Sequence, residues 1–189
     1  MNLKEQFVFY CGPTLVGIKP SSLFSLKNEY LCQHRAELNL IYEKLHKKGL
    51  DSVEIRRYRN STLIFIYNES LIISLLNEDI RSRLNKLGYP KFKDTKTYLY
   101  HLLWKLKNDK NEFPHKIGYF LGFPYLDVDA FIKYKGKNCK CCGYWKSYVD
   151  CENASLTFQK YNKLKKCCLE KIRQGAELEE LVLNAHVGG

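Results

Sequence analysis

Three short segments of the chain hold residue types that can do covalent or metal chemistry. In Cys11-Gly12-Pro13-Thr14 a thiol stands just before a helix-start signal. Backbone N–H groups there would favour the thiolate, the form that attacks electrophiles and binds metals. His115 follows Pro114 at an expected helix N-terminus, where the positive end of the helix disfavours imidazolium and leaves a neutral ring for ligation or proton transfer. Cys139-Lys140-Cys141-Cys142 contains a CxxC pair, Cys139 and Cys142, flanked by Lys137 and Lys140. Two thiols at that spacing can share a metal or form a redox disulfide, and nearby cations favour their ionised form.

Thiolate and imidazole suit both soft metals and nucleophile–base pairs. The expected site is therefore built from Cys11 and His115 as reacting groups, with one or more of Cys139, Cys141 and Cys142 as metal ligands. Lys19, Tyr144, Trp145 and Lys146 are the expected contacts of a cofactor, either a metal or an iron-containing group. A second CxxC or a His pair, the usual completion of a zinc set, is not in the sequence, so Cys151 or Cys167 would have to be supplied by the fold. Against the reactive reading stands the frequency with which a free cysteine is simply buried.

A different class of function competes. Lysines 133, 135, 137, 140 and 146 interleave with Tyr134, Tyr144, Trp145 and Tyr148, a pattern that suits phosphates and stacked bases. Residues 113–134 have the grammar of a helix-turn-helix: Ile117 to Gly122 as first helix and turn, Pro124 opening the second helix, and Val128, Phe131 and Ile132 packing back. Asp127 and Asp129 fall where such a unit reads bases, and their charge opposes the phosphates. The alternative expectation is thus a non-enzymatic adaptor for proteins or nucleic acid, with weak, sequence-independent binding of the latter. The chain has no P-loop, GxGxxG, GxSxG or HExxH.

These residues must be held by a fold of 189 residues, 45% apolar and with five prolines, a length and composition that fit one domain over 1–189 with a real core. Residues 175–189 read as a peripheral tail. Net charge is +11. Residues 114–175 carry twelve Lys/Arg against five acids, most densely from Lys133 to Lys146. Abundant Lys, Asn, Ile and Tyr would also follow from an AT-rich genome. No apolar run approaches the roughly 20 residues a membrane span needs, and Met1 to Gln6 lacks the apolar stretch of a signal peptide. The expectation is a cytoplasmic protein, not in the membrane, whose eight cysteines are reduced.

Periodicity predicts an α+β fold, helices packed on an antiparallel sheet of three to four strands. Leu3 to Cys11 is a helix or strand stopping at Gly12-Pro13, and Pro20-Ser21-Ser22 reads as a break and helix cap before Leu23 and Phe24. Glu29 to Lys48 is the clearest helix, with Leu31, Leu38, Tyr42 and Leu45 on one face. A hairpin follows, Val53–Arg56 and Thr62–Tyr67 around Asn60-Ser61. Helices are predicted over 70–87, broken near Asn77, over 95–108, and from Cys151 to Gln174 with Asp150 as cap. Gly143 to Val149 reads as a third strand.

Taken together, three segments resemble a known family. They are Cys11-Gly12-Pro13-Thr14-Leu15 with Lys19 and Leu23-Phe24; Phe113 to Gly118 running on through Leu121-Gly122-Phe123-Pro124 to Asp127-Val128; and Cys142-Gly143-Tyr144-Trp145-Lys146. They resemble the bacterial family catalogued as domain of unknown function 3793, found in anaerobic Gram-positive bacteria, over nearly the whole chain. The resemblance implies a cytosolic protein and carries over no activity or cofactor. Where the family usually shows Glu after the His, this chain has Lys116.

Overall fold

The β-branched and aromatic run that ends at Tyr67 forms the central strand of a three-stranded antiparallel sheet. The computed structural model describes residues 1–58, 60–108 and 114–182. Strands β1 (Ser21–Lys27), β2 (Asp51–Tyr58) and β3 (Ser61–Tyr67) lie in the order β1-β3-β2, with Phe65 opposite both Leu23 and Val53. Both faces of β3 are buried from Thr62 to Tyr67, which is why the run is continuously apolar rather than alternating. A second, two-stranded ladder joins β4 (Cys141–Cys142) to β5 (Lys146–Ser147). The α+β class read from the sequence is the one observed.

By packing, the chain falls into two compact units. The first joins Met1–Glu69 to Leu164–Gly189. Its core gathers Phe7, Val8, Cys11 and Leu15 of α1 (Leu3–Leu15), Leu31 of α2 (Asn28–Gln33), Leu38 and Leu45 of α3 (Arg35–Lys47), and Ile64 and Ile66 of β3. Leu178, Leu181 and Val182 are buried in the same core, so the chain is interior material as far as 182. Around that turn Glu177 accepts from Lys4 at 2.5 Å and Lys44 at 3.2 Å, and Lys44 also meets Glu179 at 2.7 Å.

The second unit, Ser70–Lys163, holds most of α4 (Glu69–Leu75), then α5 (Glu78–Lys86), α6 (Thr95–Asn108), α7 (Ile117–Phe120), α8 (Tyr125–Lys133), the β4–β5 ladder and the first half of α9 (Cys151–Arg173). Asn77 caps α5 by accepting from Ile80 N at 3.0 Å. The expected helix-turn-helix-like unit is present as α7 and α8, turned at Gly122 in the left-handed region (φ 72°). Phe113, its expected first residue, lies outside the described residues.

Four local expectations change. α1 runs on through Gly12-Pro13 to Leu15: proline's ring clashes mainly with the Cβ and N–H of the residue before it, and Gly12 has no Cβ. Ser21 and Ser22 begin a strand rather than cap a helix, because pairing with Ile66 and Tyr67 outweighs the local capping tendency. The helix over 29–48 is two helices broken at His34 (φ −110°, ψ 22°). The strand over 143–149 shrinks to the two residues of β5, outside the main sheet.

At Gly118 α7 packs closely on α8, since a Cβ there would lie 2.9 Å from Val128 Cγ2 and 3.2 Å from its Cγ1. Gly118→Ala is expected to cost about 1–3 kcal/mol of unfolding free energy by overpacking. Val128→Ala should be less harmful in that background than alone, a coupling that a double-mutant cycle in denaturant reads directly.

Candidate functional site

Asp127 holds an unusual position: a carboxylate in the first turn of α8, 4% exposed. A buried carboxylate is tolerated where donors converge on it. Trp145 Nε1 donates to Oδ2 at 2.8 Å, and the backbone N–H groups of Tyr148 and Val149 donate to Oδ1 at 2.8 and 3.1 Å. The three donors all come from the segment that follows the cysteine cluster. Trp145 is held between Phe123 (centroids 5.5 Å apart) and Phe158 (4.5 Å, edge-on). Gly143 gives Phe158 room: a Cβ there would collide with its ring. Asp127 and Asp129, read from sequence as the acids of a recognition helix, are therefore committed inward, Asp129 to Arg83 and the Tyr119 hydroxyl.

On this frame sit four thiols. Cys142 is exposed, while Cys139, Cys141 and Cys151 are half-buried. Lys140 N donates to Ser147 O at 2.9 Å and Gly143 N to Trp145 O at 3.0 Å, closing the hairpin. Cys151 is the first residue of the 23-residue α9, capped by Asp150, which accepts from Asn153 N at 3.0 Å. Cys141 is drawn to it. The Cys141 Sγ donates to the backbone O of Cys151 at 3.9 Å, and its thiol is pushed up first by Cys151, then by burial and by the charge Cys151 would carry; Ser147 acts the other way. Cys139 and Cys142 act on the buried Tyr148 phenol, which is pushed up by burial first and then by Cys139, Asp127 and Cys142. All eight cysteines are free. Among the described residues, no three His, Cys, Asp or Glu side chains are grouped so as to hold a metal ion.

The remaining expected site residues have clear surroundings. Tyr144 packs edge-on to Tyr161 at 5.0 Å and donates to Asn162 Oδ1 at 3.1 Å. Lys146 Nζ donates to Gly136 O at 2.8 Å. Trp145 also lines a groove of about 420 Å³ with Tyr125, Tyr161, Asp150 and Thr157. His115 is exposed, its ring 5.2 Å from that of Phe131. The helix after it, α7, has four residues, too few to build the terminal field that the sequence reading invoked.

Cys11 and Lys19 belong to the first unit. Cys11 is fully buried, and burial pushes its thiol well up, with the Lys19 charge opposing too weakly to matter. The group is a neutral thiol packed as a small apolar side chain. Lys19 is 6% exposed, and burial lowers its amine to about 8, against a partial opposing effect of Cys11. Nearby, Thr14 and Ser22, both buried, share a 2.7 Å hydrogen bond.

Sequence reasoning missed the partners rather than the cluster. Asp127 was visible, with Asp129, as one of two acids among the apolar residues of one helix, and only the fold separates the buried acceptor from the ion-paired one. The pairing of Cys141 with Cys151 had no local signal, since ten positions separate them.

Comparison with known proteins gives two matches. The family described as "Protein of unknown function (DUF3793)" matches residues 7–182. The chain is 23% identical over 176 residues to a protein named "Putative mitoferrin" from Plasmodium falciparum (isolate 3D7), covering 89% of this chain and 13% of that protein. The chain thus spans about an eighth of that relative's length. No solved structure matches.

Two outcomes are expected. Asp127→Ala leaves three donors without their acceptor and should cost about 3 kcal/mol or more, with a red shift of Trp145 fluorescence; Asp127→Asn, which keeps one acceptor oxygen, should cost less. Both are read by denaturant unfolding. For Lys19 the folded amine is depressed from 10.5 to about 8, so between those values the unfolded chain binds more protons and stability rises with pH. Relative to Lys19→Met, the wild type should gain on the order of 3 kcal/mol between pH 7 and 10.5, measured as paired unfolding curves across that range.

Proposed function

The chain belongs to the DUF3793 family, and we propose that this member is a cytoplasmic thiol protein whose chemistry lies in the Cys141–Cys151 pair. The single observation behind this reading is that the Cys141 thiol, on β4, reaches the start of α9, where it donates to the backbone O of Cys151 at 3.9 Å. Of the chemistries open to a cysteine cluster, two cysteines brought together in this way, with no group of three ligands among the described residues, favour dithiol–disulfide exchange over a metal set. Nothing buried competes: Cys11 is shielded and protonated.

The oxidant is a low-molecular-weight disulfide. The Cys151 thiolate attacks one of its sulfurs, forming a mixed disulfide and releasing the other half as a thiolate that takes a proton. Cys141 then loses its proton and attacks Cys151 Sγ, releasing the second half as a thiol. Two protein thiols become one disulfide, and one small disulfide becomes two thiols. Cys141 is placed for the second step beside the start of α9, and in the resting dithiol Cys151 and burial push its thiol up.

Incubation with glutathione disulfide, followed by peptide mapping, should give a Cys141–Cys151 link as the main product, reversed by excess reduced glutathione. Cys141→Ser should instead accumulate a glutathione adduct on Cys151. Cys151→Ser should release glutathione at least about tenfold more slowly than wild type, the scale on which thiolate access separates reactive from inert cysteines. Modification confined to the exposed Cys32, Cys142 and Cys167, with no Cys141–Cys151 link, would remove the basis for the reading.

A further inference from the structure

The turn between α8 and β4 gathers positive charge that the protein does not neutralise. Lys133, Lys135, Lys137 and Lys140 are exposed within eight positions, and among the described residues no ion pair engages any of them. The nearest acids in sequence are occupied elsewhere: Asp127 by Trp145 and two backbone N–H groups, Asp129 by Arg83 and Tyr119, Asp150 by the start of α9. The backbone that presents the lysines is fixed. Lys135 (φ 51°), Gly136 (φ 74°) and Asn138 (φ 61°) sit in the left-handed region, and the turn is tied by Gly136 N to Phe131 O at 2.9 Å, Lys137 N to Tyr134 O at 3.0 Å and Lys146 Nζ to Gly136 O. Two non-glycine residues held there cost conformational energy that a plain loop would avoid. Tyr134 stands among the lysines, 42% exposed, its ring stacked at 5.9 Å on the buried Tyr148 and so held in orientation, with the mobile-stemmed Lys133 ammonium 5.4 Å from its centroid, which an incoming base would displace toward its phosphate.

We propose that this turn is a binding surface for single-stranded nucleic acid. Spaced ammonium groups without acidic partners fit a chain of phosphates, and an oriented, exposed phenol ring offers a face on which an unpaired base can stack. A duplex keeps its bases inside and cannot use Tyr134. An anionic bilayer would want apolar side chains to insert, and the segment 133–140 offers none beyond Tyr134. Contacts to phosphate and to a generic base face carry no sequence preference. The surface is independent of the Cys141–Cys151 reading, since none of its groups is a thiol.

The test is fluorescence anisotropy of a labelled oligothymidylate of about 12 nucleotides, within the span such surfaces cover, with the whole chain kept reduced so that dithiol chemistry plays no part. Binding should fall with salt at a slope of about −3 in log K against log salt, as four neutralised phosphates on a single strand require. Replacing all four lysines by Glu should abolish binding at low salt, and replacing them by Gln should flatten the slope while circular dichroism stays unchanged. Tyr134→Leu should weaken the single strand about fivefold or more, the loss of one stacked base, and leave a duplex of equal length unaffected. Three results would overturn the proposal: no binding at low salt, equal binding by the charge-reversed variant, or lysine-dependent binding of anionic vesicles with none of the oligonucleotide.

Discussion

The second unit is organised around a carboxylate that is almost wholly buried. Asp127 accepts from the Trp145 indole and from two consecutive backbone N–H groups, and neither side of that arrangement can exist alone. Removing the donors would strand a charge in a site 4% exposed, and removing the carboxylate would strand three donors, each outcome costing kilocalories. The constraint fixes where the chain goes after the cysteine cluster. Trp145 must lie between Phe123 and Phe158, Gly143 must pass Phe158 without a side chain, and Ser147 must turn toward Asp150, whose O accepts from its hydroxyl at 3.3 Å. Cys141 meets Cys151 because the segment between them has been given this one path.

The cysteines show how little residue type says without burial. Cys11 and Cys168 are interior packing atoms in the first unit, and burial alone raises the Cys11 thiol out of reach of ionisation. Cys141 and Cys151 are the same side chain at a polar, half-buried hairpin, where a neighbouring thiol rather than an apolar wall sets the proton's affinity. Lys19 is the mirror case. Its cation is what burial penalises, so its amine falls to about 8 while the lysines of the 133–140 turn face water.

Charge is distributed by the same logic. The acids in the α8 and hairpin region have been drawn into internal tasks, capping a helix, binding a guanidinium, closing a hairpin. The lysines are left on the outside because their long stems can reach solvent. The positive field of the turn thus follows from how the acids are used, as well as from the composition of the chain.

Much of this was legible in the sequence. Leucine spacing gave the buried faces of α3 and α6, Asp150 marked a helix start through its side-chain oxygen, the break near Asn77 was visible, and Val128 was legible as packing back on the preceding helix. These signals are local: propensity, capping and periodicity act within a few residues. The α+β class and the cysteine cluster followed from them. What only the tertiary structure decided were features that depend on a distant partner. Ser21 and Ser22 became a strand because β3 was there to pair with them. Cys11 became inert because a core closed around it, and Asp127 turned inward because donors from residues 145–149 met it there. Burial and hydrogen-bond partnership are properties of the folded ensemble of residues, and one position's identity sets only what it can do once they are fixed.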